Sequence, residues 1–300
     1  MKKTLIATAI VSTMGFAAVA QAAEVNYDLY GSLRVNAVSA EKTSLKIGDN
    51  SSRVGIKAST PLDGGLTGLV HYEQKVDTEA GALAGGRLSY IGVKGDFGTV
   101  TTGRQWTPQY LWTSSKVDIL DVGSNPTHNY AVAGRQGNTL AYISPSLEGL
   151  QLAAVVIAAG DKVKPNDDDF DAYNFAANYT MGDLSVGAAT IMANNGVDKN
   201  YTSVAASYTM DALYVAAEMT TDDINKKDSM EIAASFAVSP KATVLANLVN
   251  FEKGSQVAVE AQYKLGAKAR VAVSAIMADD DATTTEGIKD AVAASFRVDF

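Results

Sequence analysis

The segment from residue 292 to residue 300 alternates between apolar and polar or small side chains. Its apolar positions are Val292, Ala294, Phe296, Val298 and Phe300. Successive side chains of a β-strand point to opposite sides, so this segment predicts a strand with one apolar and one polar face. Segments of similar length and pattern recur along the chain and are separated by Gly, Pro and Asp turns. Beyond the first 22 residues, no stretch has the roughly 18 consecutive apolar residues that a membrane-spanning helix requires. The pattern therefore predicts an all-β fold.

Sixteen alternating segments can be counted. An even number of antiparallel strands lets a sheet close into a barrel with both ends on one side. Sixteen tilted strands also leave an aqueous interior, whereas eight would fill it with side chains. The sequence therefore predicts a 16-stranded antiparallel transmembrane β-barrel. The segments are 24–38, 44–59, 66–76, 86–95, 97–104, 138–145, 148–158, 170–181, 183–193, 199–210, 212–220, 228–238, 241–250, 255–264, 267–277 and 289–300.

Aromatic residues near the ends of these segments predict a girdle at the membrane interfaces, although tyrosine is also common in ordinary strands. They are Tyr27, Tyr72, Tyr90, Tyr142, Tyr179, Tyr208, Tyr263, Phe296 and Phe300.

Residues 1–22 have the pattern of a cleaved secretory signal peptide. Lys2 and Lys3 precede an apolar run, and Ala20-Gln21-Ala22 matches the small-x-small cleavage site. The alternative, an uncleaved anchor, fits less well because the apolar run is short. The mature domain is then 23–300. The chain has no cysteine, so this exported protein must be stabilised without disulfides. Its formal net charge of −8 argues against a nucleic-acid partner.

One connection, residues 105–137, is much longer than the others. A loop of this length is usually functional or disordered. This one contains large apolar side chains, which predict that it packs against something: Trp106, Tyr110, Trp112, Ile119, Leu120 and Val122. In a wide barrel the available surface is the inner wall. We therefore expect an inward-folded third external loop that narrows the pore.

Several motifs resemble those of the general diffusion porins of Gram-negative bacteria, over the whole mature length. The stretch 87–105 is specific to that family, and the rest agrees in order and spacing. The resemblance implies a homotrimer of 16-stranded barrels in the outer membrane, with basic residues on each pore wall opposite acidic residues on the loop. The Pro-Glu-Phe-Gly-Gly stretch common in enteric members is missing from this loop. The motifs are Asp28-Leu29-Tyr30-Gly31 and residues 52–57, 87–98, 102–105 and 135–139.

The resemblance also supplies candidate residues for the pore constriction. Arg53, Arg87 and Arg135 match the wall arginines of the family. Asp118 and Asp121 are the only carboxylates in residues 105–137, so they are the candidates for the acidic side. Two further candidates are Arg34, which lies two positions beyond the usual basic site, and Arg104. Arginine remains charged at any working pH, and rings of charge select ions in pores.

The predicted function is passive diffusion of small hydrophilic solutes and ions across the outer membrane. The acidic net charge and loops predict a weak preference for cations. No cofactor or metal motif is present. The terminal aromatic, Phe300, predicts a role in barrel closure and in recognition by the outer-membrane assembly machinery. The other expected partners are membrane lipid and lipopolysaccharide. Acidic runs at residues 167–169, 222–223 and 279–281 are either solvated loop tips or sites for divalent cations that bridge to lipopolysaccharide.

Three alternatives remain open at the level of sequence. A solute-specific porin, for example for oligosaccharides, could use Trp106, Tyr110 and Trp112 as stacking faces, unless these residues pin the loop to the wall. An outer-membrane barrel enzyme would need a histidine near an acid or a serine. The chain has only His71 and His128, and neither lies in such a pattern. A structural or adhesive protein would show no conductance.

Overall fold

The computed structural model describes residues 25–123, 134–159, 169–194, 199–224 and 226–300. The predicted signal peptide, residues 1–22, lies outside the described residues, as do His128, Asp167 and Asp168. Within the described ranges, almost every ordered element is a strand. No helix among them is long and apolar enough to cross a membrane.

The strand segments are β1 (Asn26–Ala40), β2 (Lys46–Asp49), β3 (Arg53–Pro61), β4 (Thr67–Asp77), β5 (Ala82–Gly95), β6 (Gly98–Trp106), β7 (Arg135–Ile143), β8 (Leu150–Ile157), β9 (Ala172–Met181), β10 (Leu184–Ala193), β11 (Lys199–Met210), β12 (Leu213–Asp222), β13 (Ser229–Ala237), β14 (Ala242–Phe251), β15 (Ser255–Gly266), β16 (Ala269–Ala278) and β17 (Ala291–Asp299). Two short helices are α1 (Pro108–Trp112) and α2 (Asp280–Glu286), and short 3-10 turns cover Asp63–Gly65 and Ser114–Lys116.

The sheet closes on itself through β1. On one side β1 pairs antiparallel with β17, with Ser32 opposite Asp299. On its other side β1 pairs with both β2 and β3, which are therefore two parts of one strand interrupted at 50–52. Every other segment pairs antiparallel with its neighbours in sequence. The described segments thus form a closed barrel of sixteen strands, which confirms the predicted fold. Apart from the interruption, the predicted boundaries differ from the observed ones by no more than four residues.

Each strand presents one exposed apolar face and one buried face. In β12, for example, Val215 and Met219 are exposed, whereas Ala216, Glu218 and Thr220 between and beside them are buried. This alternation is expected when lipid covers the outside of a barrel and water and polar groups fill the inside. Eight of the nine aromatic residues predicted for the interface girdle are exposed.

The exception is Tyr90, which points into the barrel. Its hydroxyl lies 3.0 Å from Nδ1 of His71, another inward-facing side chain. The prediction that Tyr90 belongs to the girdle was therefore wrong, because strand parity, and not its position near a strand end, decides the direction in which its ring points.

The segment from Thr107 to Gly123 packs against the buried face of the strands. Thr107 caps α1 by accepting a hydrogen bond from the Tyr110 amide, and Pro108 occupies the first turn. Apolar side chains then contact inward-facing apolar residues of the wall. Trp112 packs on Ala153, Ala176 and Ala189; Val117 packs on Ala216 and Ala233; Leu120 packs on Leu245 and Ala258. Burying one side chain of the size of Val117 or Leu120 contributes about 1.5–3 kcal/mol.

Candidate functional site

A cavity of ≈ 650 Å³ lies between the segment 107–121 and the inner face of the strands. All seven residues predicted for the constriction line it. They are Arg34, Arg53, Arg87, Arg104, Arg135, Asp118 and Asp121. Two more arginines, Arg270 and Arg297, complete its charged lining. The structure therefore brings the predicted residues together around one space.

Arg87 reaches this space because of an irregularity in the sheet. Glu73 of β4 is opposite Leu88 of β5, whereas the next residue, Gln74, is opposite Gly86, so Arg87 is an extra residue in β5. Strict alternation from the exposed Ile91 would place Arg87 on the outer face. A β-bulge redirects side chains in this way. Arg87 is instead 9 % exposed and faces the interior.

A hydrogen-bond network fixes the guanidinium of Arg87. Its Nε donates to Glu73 Oε1 at 2.6 Å, and the hydroxyl of Tyr30 donates to Glu73 Oε2 at 2.9 Å. The Tyr30 oxygen lies 2.7 Å from Nε2 of His71. Because Tyr30 donates its only hydroxyl proton to Glu73, the Tyr30 oxygen must accept from His71, so His71 Nε2 is the protonated ring nitrogen. His71 is thus a positioning residue of the wall.

Asp121 is held by two arginines that the sequence analysis did not select. Arg270 Nε donates to Asp121 Oδ2 at 2.7 Å, and a second nitrogen of Arg270 binds Oδ1. Arg297 lies 3.9 Å from Oδ1 and also donates to Asp299 at 2.9 Å. Both arginines alternate with exposed apolar neighbours such as Val271 and Phe296, so parity alone could have identified them as inward-facing.

Asp118 accepts a hydrogen bond from the Tyr110 hydroxyl at 2.8 Å. Burial, followed by the charge of Asp118, raises the pKa of that hydroxyl well above its usual range, so it remains a donor. The Tyr110 ring stacks on Trp106 with centroids 3.9 Å apart. The guanidinium of Arg135 lies 4.3 Å from the Trp106 centroid. Two groups this close to one ring must occupy opposite faces, so Arg135, Trp106 and Tyr110 form a continuous stack.

Residues 7–283 of the chain match the Gram-negative porin family. The chain belongs to this family. It is 30 % identical over 270 residues to a monosaccharide porin of Halomonas sp., covering 77 % of this chain and 74 % of the relative. It is also 30 % identical over 261 residues to outer membrane protein U of Vibrio cholerae, covering 75 % and 76 %.

Solved structures of porins share the fold. The anion-selective porin from Comamonas acidovorans has a TM-score of 0.78 at 18 % identity, covering 92 % of this chain and 100 % of that one. Salmonella typhi OmpF in complex with daunomycin has a TM-score of 0.75 at 16 % identity, covering 91 % and 97 %. This porin is an outer-membrane channel for passive diffusion. Its relatives are channels, which argues against the alternatives of an enzyme or a purely structural protein.

Hydrogen bonds as well as apolar contacts hold the loop of this porin to the wall. Both carboxylate oxygens of Glu260 on β15 accept from the Asp121 amide, at 3.0 and 3.1 Å, and one also accepts from the Val122 amide. Ser114 donates to Glu218 at 2.8 Å, and Lys116 Nζ donates to Ser185 at 2.8 Å. Desolvation lowers the pKa of buried Lys116. Donors of the loop therefore bind side chains on β10, β12 and β15.

We expect Glu260→Gln to make the open channel unstable. The variant keeps one acceptor oxygen but replaces the other with a donor that faces backbone amides, which removes a charge-assisted bond. Single-channel recordings should show more frequent brief closures than in the wild type. The matched control is Glu231→Gln, because the Glu231 carboxylate is equally buried and accepts from Asn247 on the neighbouring strand. Equal closure frequency in both variants would contradict the assigned role of Glu260.

The charge around the cavity of this porin is opposite in sign to the net charge of the chain. Seven arginines and two aspartates line it. Three of the arginines have a carboxylate partner: Arg87 with Glu73, Arg270 with Asp121, and Arg297 with Asp299. For the other four (Arg34, Arg53, Arg104 and Arg135), no salt bridge to a described residue is present.

The acidic runs of the loops have partly structural roles. Asp222 is fully buried. Asp279 caps α2 by accepting from the Ala282 amide at 2.8 Å, and such backbone hydrogen bonds lower its pKa. Within the described ranges, no three acidic or histidine side chains are grouped as metal ligands would be. Cation bridges to lipopolysaccharide stay a prediction.

Proposed function

We propose that the arginine-lined cavity is the constriction of this porin and that residues 105–137 form its constriction loop. The observation that carries the proposal is the convergence of nine charged side chains on one space bounded by a segment packed inside the barrel. Small hydrophilic solutes would pass this point according to their size and charge. Apolar solutes would be disfavoured because they disturb water ordered by the charges on the two sides.

The local excess of arginine favours anions. Charges separated by more than about 8 Å are largely screened at physiological salt, so an ion in the cavity responds mainly to the lining. Outer loops and net charge, which predict a cation preference, act at longer range and mostly on the rate of encounter. The predicted cation preference remains untested, and the composition of the lining supports the opposite sign.

Reversal potentials across a planar bilayer with a KCl gradient test this proposal. We expect chloride to permeate at least about twofold more readily than potassium, because the unpaired guanidinium groups stabilise anions in a narrow, partly desolvated space. The Arg53→Gln variant should show a smaller preference. A wild-type channel that prefers potassium would overturn the proposed selectivity. If Arg53→Gln has the same conductance and ion preference as the wild type, the assignment of the constriction is overturned.

We further propose that the mature porin, residues 23–300, is a homotrimer in contact with lipid and lipopolysaccharide, inserted by the outer-membrane assembly machinery after removal of residues 1–22. A trimer form is named for OmpT of Vibrio cholerae, which shares the fold with a TM-score of 0.70 at 17 % identity. Conductance that appears in steps of three, together with a cross-linked trimer band, would support the assembly, whereas single steps and a monomer band would refute it.

The aromatic residues of the loop favour general diffusion over a sugar-specific pore. Both faces of the Trp106 ring are occupied, by Tyr110 and Arg135. Trp112 packs on the alanines of the wall. These contacts stabilise the loop and leave Trp106 no free face on which a sugar ring could stack.

A further inference from the structure

Three arginines of the cavity form a pre-organised group. Arg53, Arg87 and Arg135 come from β3, β5 and β7, at one side of the cavity. All three guanidinium groups line the same cavity, so their like charges repel one another. Glu73 fixes Arg87 and the stack on Trp106 fixes Arg135. The fold thus holds three mutually repelling charges in one part of the cavity.

Two of these guanidinium groups have unused donors. The Nε atoms of Arg53 and Arg135 are buried from solvent and donate no hydrogen bond to any described residue. A buried donor without a partner costs about 1–3 kcal/mol, and more when it is charged. Like-charge repulsion adds to this cost. A multivalent anion in the cavity would offset the repulsion and lower the cost of burying these charges, without having to contact the buried Nε atoms.

We infer that Arg53, Arg87 and Arg135 form a saturable binding site for small dianions with phosphate or carboxylate oxygens. The planar fork of a guanidinium matches the geometry of these oxygens, so one dianion can accept bonds from two or three forks. Chloride, a single monovalent centre, cannot bridge them in this way. The inference rests on the proposed constriction and adds to it a preferred class of solute, which would include inorganic phosphate, phosphate esters and dicarboxylates.

The test measures current through the reconstituted full-length porin at constant chloride, constant ionic strength and about pH 8, while inorganic phosphate is added. We expect the chloride current to fall and saturate with phosphate. Glycerol phosphate and succinate are tested in parallel, so that the two sources of dianionic oxygens are distinguished. Acetate, a monovalent carboxylate, should produce no saturable effect at the same concentrations.

Variants distinguish binding at a specific site from a general effect of the positive charge of the lining. Arg53→Gln and Arg135→Gln should each raise the half-saturating phosphate concentration at least about tenfold, as expected for loss of a charge-assisted hydrogen bond. Arg135→Lys keeps the charge without the fork and should also weaken saturation. Arg297→Gln removes the same charge from β17, where Asp299 and Asp121 already compensate Arg297, and should change the midpoint by less than about twofold.

The outcomes distinguish this site from the proposed function. A chloride-preferring wild-type channel without saturation overturns the dianion site and leaves the constriction intact. Equal shifts in Arg297→Gln and Arg53→Gln overturn it as well, because they show a general charge effect. A cation-preferring wild-type channel overturns the proposed selectivity, while saturation by phosphate in that channel would still support the site. Because saturation is measured on the wild type, a variant that fails to fold does not prevent the test.

Discussion

Replacing Gly187 with valine is expected to push the proposed constriction loop off the wall and lower the single-channel conductance. Gly187 lies on the inner face of β10, and a Cβ added there would overlap the backbone carbonyl oxygen of Trp112. A carbonyl oxygen of a packed helix cannot rotate away as a side-chain end can. The loop must therefore shift by on the order of 1 Å towards the pore axis. We expect conductance in planar bilayers to fall by more than about twofold, because a shifted loop would narrow the proposed constriction.

The matched control is Ala188→Val, one residue along the same strand. Ala188 is exposed on the outer face, so the same valine meets lipid and leaves the loop untouched. Both variants should fold, since valine is favoured in strands. Conductance that falls equally in the two variants, or in neither, would show that the loop does not rest on β10 at this point.

The second large effect is expected for Gly31→Val, which should weaken closure of the barrel. Gly31 exchanges two backbone hydrogen bonds with Phe300, at 3.1 and 3.0 Å. The Phe300 ring covers Gly31 so closely that a Cβ would overlap its edge. Packing of an aromatic ring over a strand glycine is a known way to stabilise a sheet. Valine would displace the ring from the seam between β1 and β17, at a cost of about 1–3 kcal/mol.

The free energy of unfolding in urea, measured on barrels refolded in lipid vesicles, would show this loss together with a lower yield of folded protein. Leu29→Val is the control, because Leu29 lies on the same exposed face of β1 two residues earlier. Phe300→Ala should resemble Gly31→Val, since both remove the same contact. If Gly31→Val is as stable as Leu29→Val, the seam does not depend on this ring.

Sequence patterns predicted the strands well because strand alternation is a local property. Each segment of β12 or β17 shows its two faces within a few residues, and the observed boundaries follow the predicted ones closely. The candidates Arg53 and Arg135 came instead from the resemblance to the porin family, and both line the cavity. Parity also indicates Arg270 and Arg297, which lie outside the long loop and the motifs that flank it.

Other features of the site could not be predicted from alternation. Arg87 faces inward only because a bulge interrupts the pairing of β4 and β5, and a bulge leaves no clear mark in a single sequence. Asp121 meets Arg270, which is 149 residues away along the chain, because the loop follows the inner wall as far as β16. The weak cation preference was predicted from the net charge, which takes no account of where each charge lies in the barrel. The charges that an ion meets are those that the fold brings together.

The sequence by itself thus determined the class of fold, the number of strands and the family, because these depend on a side-chain period of two and on motifs within single strands. Only the tertiary structure decided which inward-facing groups meet. The stack of Arg135, Trp106 and Tyr110, the pairing of Asp121 with Arg270 and the group of three arginines depend on strand register and on the path of the loop. The physical reason is that register and loop path are set by packing across the whole barrel, and no local period encodes them.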